Sequence, residues 1–221
     1  MTLNFGNQLF PPRGEVSANF DFIEIATGQG YGNFYLFTAN ESTPTDTKLI
    51  TETLLDSNTK STSTSIPSDQ AAAVKNGDYD FDMTVQTPII LRGFAYAELT
   101  MKAIGAGVNG NRGGYIIVKL RKYDGSTETD IASAQTDTMD SVDNSTPSYQ
   151  REAVFLDITS NTSFAIGDKI RITVEVWGIS DGDVSGTPGS LTFYHDPTSR
   201  DTIDSDKDSD FKIQLPFKIN I

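Results

Sequence analysis

Residues 164–178, FAIGDKIRITVEVWG, decide the reading of the fold. Ile166-Gly167-Asp168 spells a turn, and the residues after it alternate without a fault. Ile170, Ile172, Val174 and Val176 fall on one side, Lys169, Arg171, Thr173 and Glu175 on the other. A period of two, rich in β-branched residues, is the pattern of a half-buried strand. The run closes on Trp177, the one tryptophan, and Gly178. The apolar row reads as core and the polar row as solvent or subunit surface.

The same period spreads outward in both directions. Upstream, Val154, Leu156 and Ile158 alternate within 152–158, and Ile116, Val118 and Leu120 within 115–123. Asp124-Gly125 marks a hairpin into a weaker strand over 128–136. Residues 89–104 form a long strand with Ala97, Leu99, Met101 and Ala103 inward and Glu98, Thr100 and Lys102 outward. Tyr79, Phe81, Met83 and Val85 alternate with Asp78, Asp80, Asp82 and Thr84. Downstream come a strand over 190–195 and a last one over 211–221, with Phe211, Ile213, Leu215, Phe217, Ile219 and Ile221 inward. Pro216 lacks an N–H, so this strand lies at an edge or carries a bulge.

The first third is less regular. Residues 1–15 read as an extended arm, because Pro11-Pro12 removes two donors and fixes φ. Phe5, Leu9 and Phe10 either fold back onto the domain or anchor on a neighbouring subunit. Residues 16–26 and 33–39 read as strands separated by a glycine turn at Gly28, Gly30 and Gly32, and 48–55 as a short strand or a turn of helix. Residues 57–68, SNTKSTSTSIPS, read as a solvated loop. Residues 68–75 are the one helix expected, capped by Ser68 and stopped at Gly77.

The expectation is therefore an all-β chain: an antiparallel β-sandwich of jelly-roll type over 77–221, with an extended N-terminal arm and at most one short helix. Residues 16–76 add accessory strands and a polar loop, or join 77–221 in a single domain over 16–221.

Charge and composition exclude several functions. Seventeen basic residues against 30 acidic give −13. No basic cluster is present to displace counterions from phosphates, so neither nucleic acid nor an anionic membrane surface is an expected partner. There is no cysteine, which removes disulfides and thiolate chemistry. No apolar run suits a membrane-spanning helix. The first residues lack the basic and apolar regions of a secretion signal, so the chain is expected to be made in a cytoplasm.

Candidate chemical motifs are few. Gly105, Gly107 and Gly110 fit G-x-G-x-x-G, but a strand comes next where a dinucleotide site needs a helix N-terminus. Asp204, Asp206, Asp208 and Asp210 place carboxylates at alternate positions, which suits a hard cation such as calcium, alone or with Asp181 or Asp183. Ser209 and Leu215 stand where an EF-hand needs glycine and glutamate, and a solvated acidic loop is the simpler reading; no other cofactor is indicated. Asp78, Asp80 and Asp82 read as a solvent face, or as an intersubunit or ion contact. His195, the one histidine, sits in His-Asp-Pro, which reads as a turn rather than part of a triad. No catalytic residue is assigned, and the chain is expected not to be an enzyme.

The runs GDYDFDMTVQTPIILRG (77–93), FAIGDKIRITVEVWG (164–178), LTFYHDPTSRD (191–201) and QLPFKI (214–219) resemble structural proteins of tailed viruses of bacteria and archaea. The resemblance implies a jelly-roll subunit on the exterior of the virion: a capsid-decorating (cement), turret or tail-associated protein. Its implied partners are the major capsid protein or other virion proteins and its own copies, a trimer favoured. Phe5, Leu9, Phe10 and Trp177 are then the candidate contact residues. The alternative is a carbohydrate-binding or host-recognition β-sandwich, with Tyr31, Tyr35, Tyr115, Tyr123, Trp177 and Tyr194 as candidate sugar platforms.

Overall fold

A computed structural model of the chain describes residues 29–39, 47–52, 61–68, 70–105, 112–141, 147–180, 188–195 and 210–218. In order the strands are β1 (Gln29–Ala39), β2 (Thr47–Thr51), β3 (Ser61–Ile66), β4 (Val74–Thr84), β5 (Ile89–Ile104) and β6 (Arg112–Tyr123). They continue with β7 (Glu128–Gln135), β8 (Met139–Ser141), β9 (Ser148–Phe164), β10 (Lys169–Ser180), β11 (Gly189–Tyr194) and β12 (Lys212–Lys218). The described residues are all-β and contain no helix.

The strands form two layers of an antiparallel sandwich of jelly-roll type. In the first, β5 pairs with β9 along one edge, while β12 and β11 share the other. β12 passes the sheet on to β1 and β2, and β11 passes it on to β3. In the second layer β10 lies between β4 and β6, and β6 carries β7 and β8 on its far edge. A parallel pair, Leu49 with Asp82, joins the layers at β2 and β4. β7 lies against β9, and β3 against β10, where the layers meet.

The core sits between them, as the alternation requires. Ile170, Ile172, Val174 and Val176 of β10 are fully buried against Leu99, Met101, Leu156 and Ile213 of the other sheet's inner face, all in one cluster. Burying side chains of this size stabilises by about 1.5–3 kcal/mol each. β1 buries Phe34 and Leu36 on one face and Phe37 on the other. The turn into β10 is held by the Asp168 carboxylate, which accepts the Ala165 N–H at 2.7 Å. Pro216 resolves as the bulge rather than the edge: β12 lies between β5 and β1, and its register on β5 shifts between Gln214 and Phe217.

Several expectations are corrected. The helix expected over 68–75 does not form among the described residues 70–75, and β4 already starts at Val74. Three alanines are too few to nucleate a helix alone. The backbone there instead exchanges hydrogen bonds with Ser180, from Gln70 N–H to Ser180 Oγ and from Ser180 N–H to Gln70 O. The polar run 57–68 is not all loop. Ser61–Ile66 is β3, whose Thr64 and Ile66 point inward against β11 while Ser63 and Ser65 face water. The run's threonines are β-branched and sit in register, which its polarity masked. Gly30 and Gly32 do not turn the chain but lie within β1; the rings of Phe34 and Phe217 fill the room that a Cβ at Gly32 would need. The glycine-rich stretch 105–114 reads as a loop, yet Gly113 and Gly114 belong to β6, and the Trp177 carbonyl oxygen occupies the room that a Cβ on Gly114 would need. Thr100, expected outward, is fully buried.

Candidate functional site: two outer faces

The outer face of the second layer is built by charge. Register puts Arg171 of β10 beside Asp82 of β4 on one side and Arg121 of β6 on the other, and Arg121 beside Asp130 of β7. The row therefore reads acid, base, base, acid. Arg171 grips Asp82 with two bonds, Nε to Oδ1 at 2.7 Å and Nη2 to Oδ2 at 2.8 Å. Its Nη1 reaches Glu128 at 2.9 Å and Asp80 at 3.1 Å, and its guanidinium lies 4.6 Å over the Tyr123 ring. Lys169 adds a second cation to Asp82 at 3.0 Å. Thr173 donates to Asp80 at 2.6 Å. One step along, Glu175 takes Lys119 at 2.7 Å, Lys75 at 3.3 Å and the Trp177 indole N–H at 3.0 Å.

The protonation of this face is set by the contacts. Burial alone pushes Asp82 up, but the hydrogen bonds and charges of Arg171 and Lys169 outweigh it and hold the carboxyl below its usual range. Glu175 behaves alike: burial raises it, and Lys119, Trp177 and Lys75 together bring it below. The Asp82 bond chiefly raises Arg171 further above an ordinary guanidinium. The outward row of β10 is thus not the plain solvent surface its sequence suggested. Thr173 is fully buried and Glu175 nearly so, because long side chains from β4, β6 and β7 close over them. The like charges of Asp78, Asp80 and Asp82 are met by cations of their own chain.

The outer face of the first layer is built by aromatics. Register sets Phe155 of β9 opposite Tyr96 of β5, Tyr96 opposite Gln214 of β12, and Gln214 opposite Asn33 of β1. The Phe155 and Tyr96 rings meet edge-on at 5.2 Å. Gln214 donates to Asn33 at 2.8 Å. Phe94 lies two residues before Tyr96 on the same face, paired with Asp157, and Tyr31 lies two before Asn33. Phe155, Phe94 and Tyr31 are 66%, 59% and 44% exposed. Beside them Glu98 is neutralised by Arg151 at 2.7 Å.

The residues singled out from sequence fall variously on this frame. Phe5, Leu9 and Phe10 lie outside the described residues, as do Asp204, Asp206 and Asp208. Asp210 is described, half-buried with a carboxylate oxygen 3.8 Å from Arg151. Trp177 is half-buried and stacked on Tyr115, rings 6.0 Å apart and 11° from parallel. His195 is fully buried between the Phe81 and Phe193 rings and hydrogen-bonded through Nε2 to Thr62 Oγ1 at 2.9 Å. Of the candidate sugar platforms, Tyr31 and Tyr35 share the aromatic face. Tyr115, Tyr123 and Trp177 belong to the ionic layer, and Tyr194 is buried. Phe94, Tyr96 and Phe155 were missed, although each stands in the polar register of its strand, opposite Ala95, Ala97, Val154 and Leu156.

No protein-family model and no curated protein matches the chain. Solved structures do. A CocE/NonD family hydrolase from Staphylococcus aureus is 12% identical, over 87% of this chain and 37% of its own, with a TM-score of 0.50. An alpha-amino acid ester hydrolase is 12% identical, over 84% of this chain and 36% of its own, with a TM-score of 0.54. An aminopeptidase from the marine sediment archaeon Thaumarchaeota archaeon is 10% identical, with coverages of 84% and 36% and a TM-score of 0.50. The chain spans little more than a third of the length of these proteins, and at such identity the likeness is one of fold. It corrects the expectation that the chain is not an enzyme: that expectation rested on missing motifs, and these three structures of like fold are two hydrolases and an aminopeptidase.

Proposed function

We propose that the chain is a structural component of a virus particle, a stiff β-sandwich that docks on the capsid surface and on its own copies. The observation that supports this most is the ionic ladder across β4, β10, β6 and β7. Charged side chains from four strands hold one another in place, which suits a slab whose work is to keep its shape. The sequence runs that resemble virion proteins include the greater parts of β4 and β10, which belong to this ladder, and of β12 in the other layer. In this reading the arm residues Phe5, Leu9 and Phe10, with Trp177, make the contacts, and the particle exterior is the place of action. Light scattering on the purified chain, followed by co-sedimentation with capsids, tests it. A mass near three chains and saturable capsid binding are expected; a monomer with no capsid affinity overturns it.

A second reading is that the chain is the β-sandwich part of a hydrolase assembly. The likeness at TM-scores of 0.50–0.54 over 84–87% of this chain favours it. Co-elution of the chain with a separate catalytic subunit, the complex releasing nitrophenol from an aminoacyl nitrophenyl ester above the buffer rate, favours this reading over the first.

A further inference from the structure

We propose that the outer face of the first layer is a binding platform for a neutral polysaccharide chain, with Phe155, Tyr96, Phe94 and Tyr31 as the stacking rings. The first ground is exposure. Phe155 and Phe94 stand in water on the solvent register of the long strands β9 and β5, where polar residues are expected, and Tyr31 joins them across β12. Grouped apolar exposure of this kind marks an interaction surface.

The second ground is the chemistry between the rings. A pyranose presents C–H groups on its faces and hydroxyls at its rim. The faces suit aromatic rings, and the rim needs donors and acceptors beside them. The face supplies both. The Gln214–Asn33 amide pair lies between Tyr96 and Tyr31, and Asp157 pairs with Phe94. From β9 across β5 and β12 to β1 the row spans about 14 Å at the spacing of adjacent strands, a length that suits several sugar rings in line.

The third ground is charge, and it selects the occupant. The chain carries −13, which repels polyanions and anionic lipid. On this face, however, Glu98 is paired with Arg151, Lys212 stands opposite Glu98, and the rings carry no charge. An uncharged polyol meets no repulsion there and can use every group the face offers. The proposal does not depend on where the chain resides: a virion subunit with such a face turned outward would hold a host surface glycan, and a hydrolase module would hold its polymer.

The test is retention of the purified chain on cellulose, chitin, α-mannan, β-1,3-glucan and dextran, by affinity electrophoresis or pull-down, with heparin as the anionic control. Retention on at least one neutral polymer and none on heparin is expected. Phe155→Ala and Phe94→Ala should each weaken it about tenfold with the circular dichroism spectrum unchanged, while Lys75→Ala on the other layer should leave it intact. Failure on every neutral polymer overturns the proposal, as does equal retention by the ring variants. Loss of self-association, rather than of glycan retention, in those same variants would assign the face to subunit contact and also overturn it.

Discussion

Replacing Arg171 by methionine keeps the aliphatic stem and removes the guanidinium. The side chain is only 16% exposed, and its loss strips Asp82 of two short bonds and Glu128 and Asp80 of one each. Bonds to charged groups contribute about 1.5–3 kcal/mol apiece when sheltered, and the Tyr123 contact about 0.5–1 kcal/mol. Lys169 still faces Asp82, and the site is partly wet, so these values must be discounted for screening. A net loss of about 2–3 kcal/mol remains, or a fall in Tm of roughly 5–10 °C for a chain of this size. Urea denaturation at neutral pH measures it, and a cycle with Asp82→Asn isolates the pair, with a coupling of about 1–2 kcal/mol expected. A single variant within about 0.5 kcal/mol of the parent, together with a coupling below that value, would refute the claim that this ladder stiffens the second layer.

Three further outcomes rest on the same structure. Asp82 and Glu175 hold their protons less tightly folded than unfolded. Their stabilisation is therefore full above the ordinary carboxylate pKa and is lost as pH falls through the lower folded values. Acid titration of stability should show this limb, and Arg171→Met should flatten it. Glu52 is the reverse case: burial pushes its carboxyl up to about 7. Its charge opposes folding increasingly as pH climbs from the ordinary glutamate value through 7, so Glu52→Gln should stabilise by about 1–2 kcal/mol at pH 8, after discounting for its exposed part, and by little at pH 4. Phe81→Ala should cost about 3–5 kcal/mol, because its ring is fully buried against Phe193 and His195. Phe155→Ala should stay within about 0.5 kcal/mol; equal costs would place Phe155 in the core.

The all-β class and most strands were legible because their alternation is strict. Alternation marks Ile89–Ile104 to its ends, and Lys169–Ser180 nearly so. What escaped was set by partners distant in sequence. Ser61–Ile66 looks like polar filler until Leu191 and Phe193 of β11 give it something to pair with. Gly114 reads as loop until the Trp177 carbonyl, 63 positions along, explains why no side chain fits. The ionic face was half legible. Each row of charges was visible in its own strand, but that the acids of β4 and β7 flank the bases of β10 and β6 depends on strand order, which alternation does not encode. The aromatic face escaped for the same reason. Phe94, Tyr96 and Phe155 lie in the polar register in plain view, but only the strand order β9, β5, β12, β1 gathers them with Tyr31 on one face.

The likeness to hydrolases and the resemblance to virion proteins meet in one physical object, a two-layer sandwich with one ionic and one aromatic outer face. A sandwich of this kind serves equally as a domain beside a catalytic unit or as a subunit of a shell, because its function lies in what its faces meet.

Quantitative mass spectrometry of purified virus particles from cells carrying this gene tests the particle assignment most directly. The account predicts peptides of this chain at tens of copies or more per particle, co-purifying with the major capsid protein through a density gradient. Abundant chain in the soluble lysate with none on gradient-purified particles would contradict it.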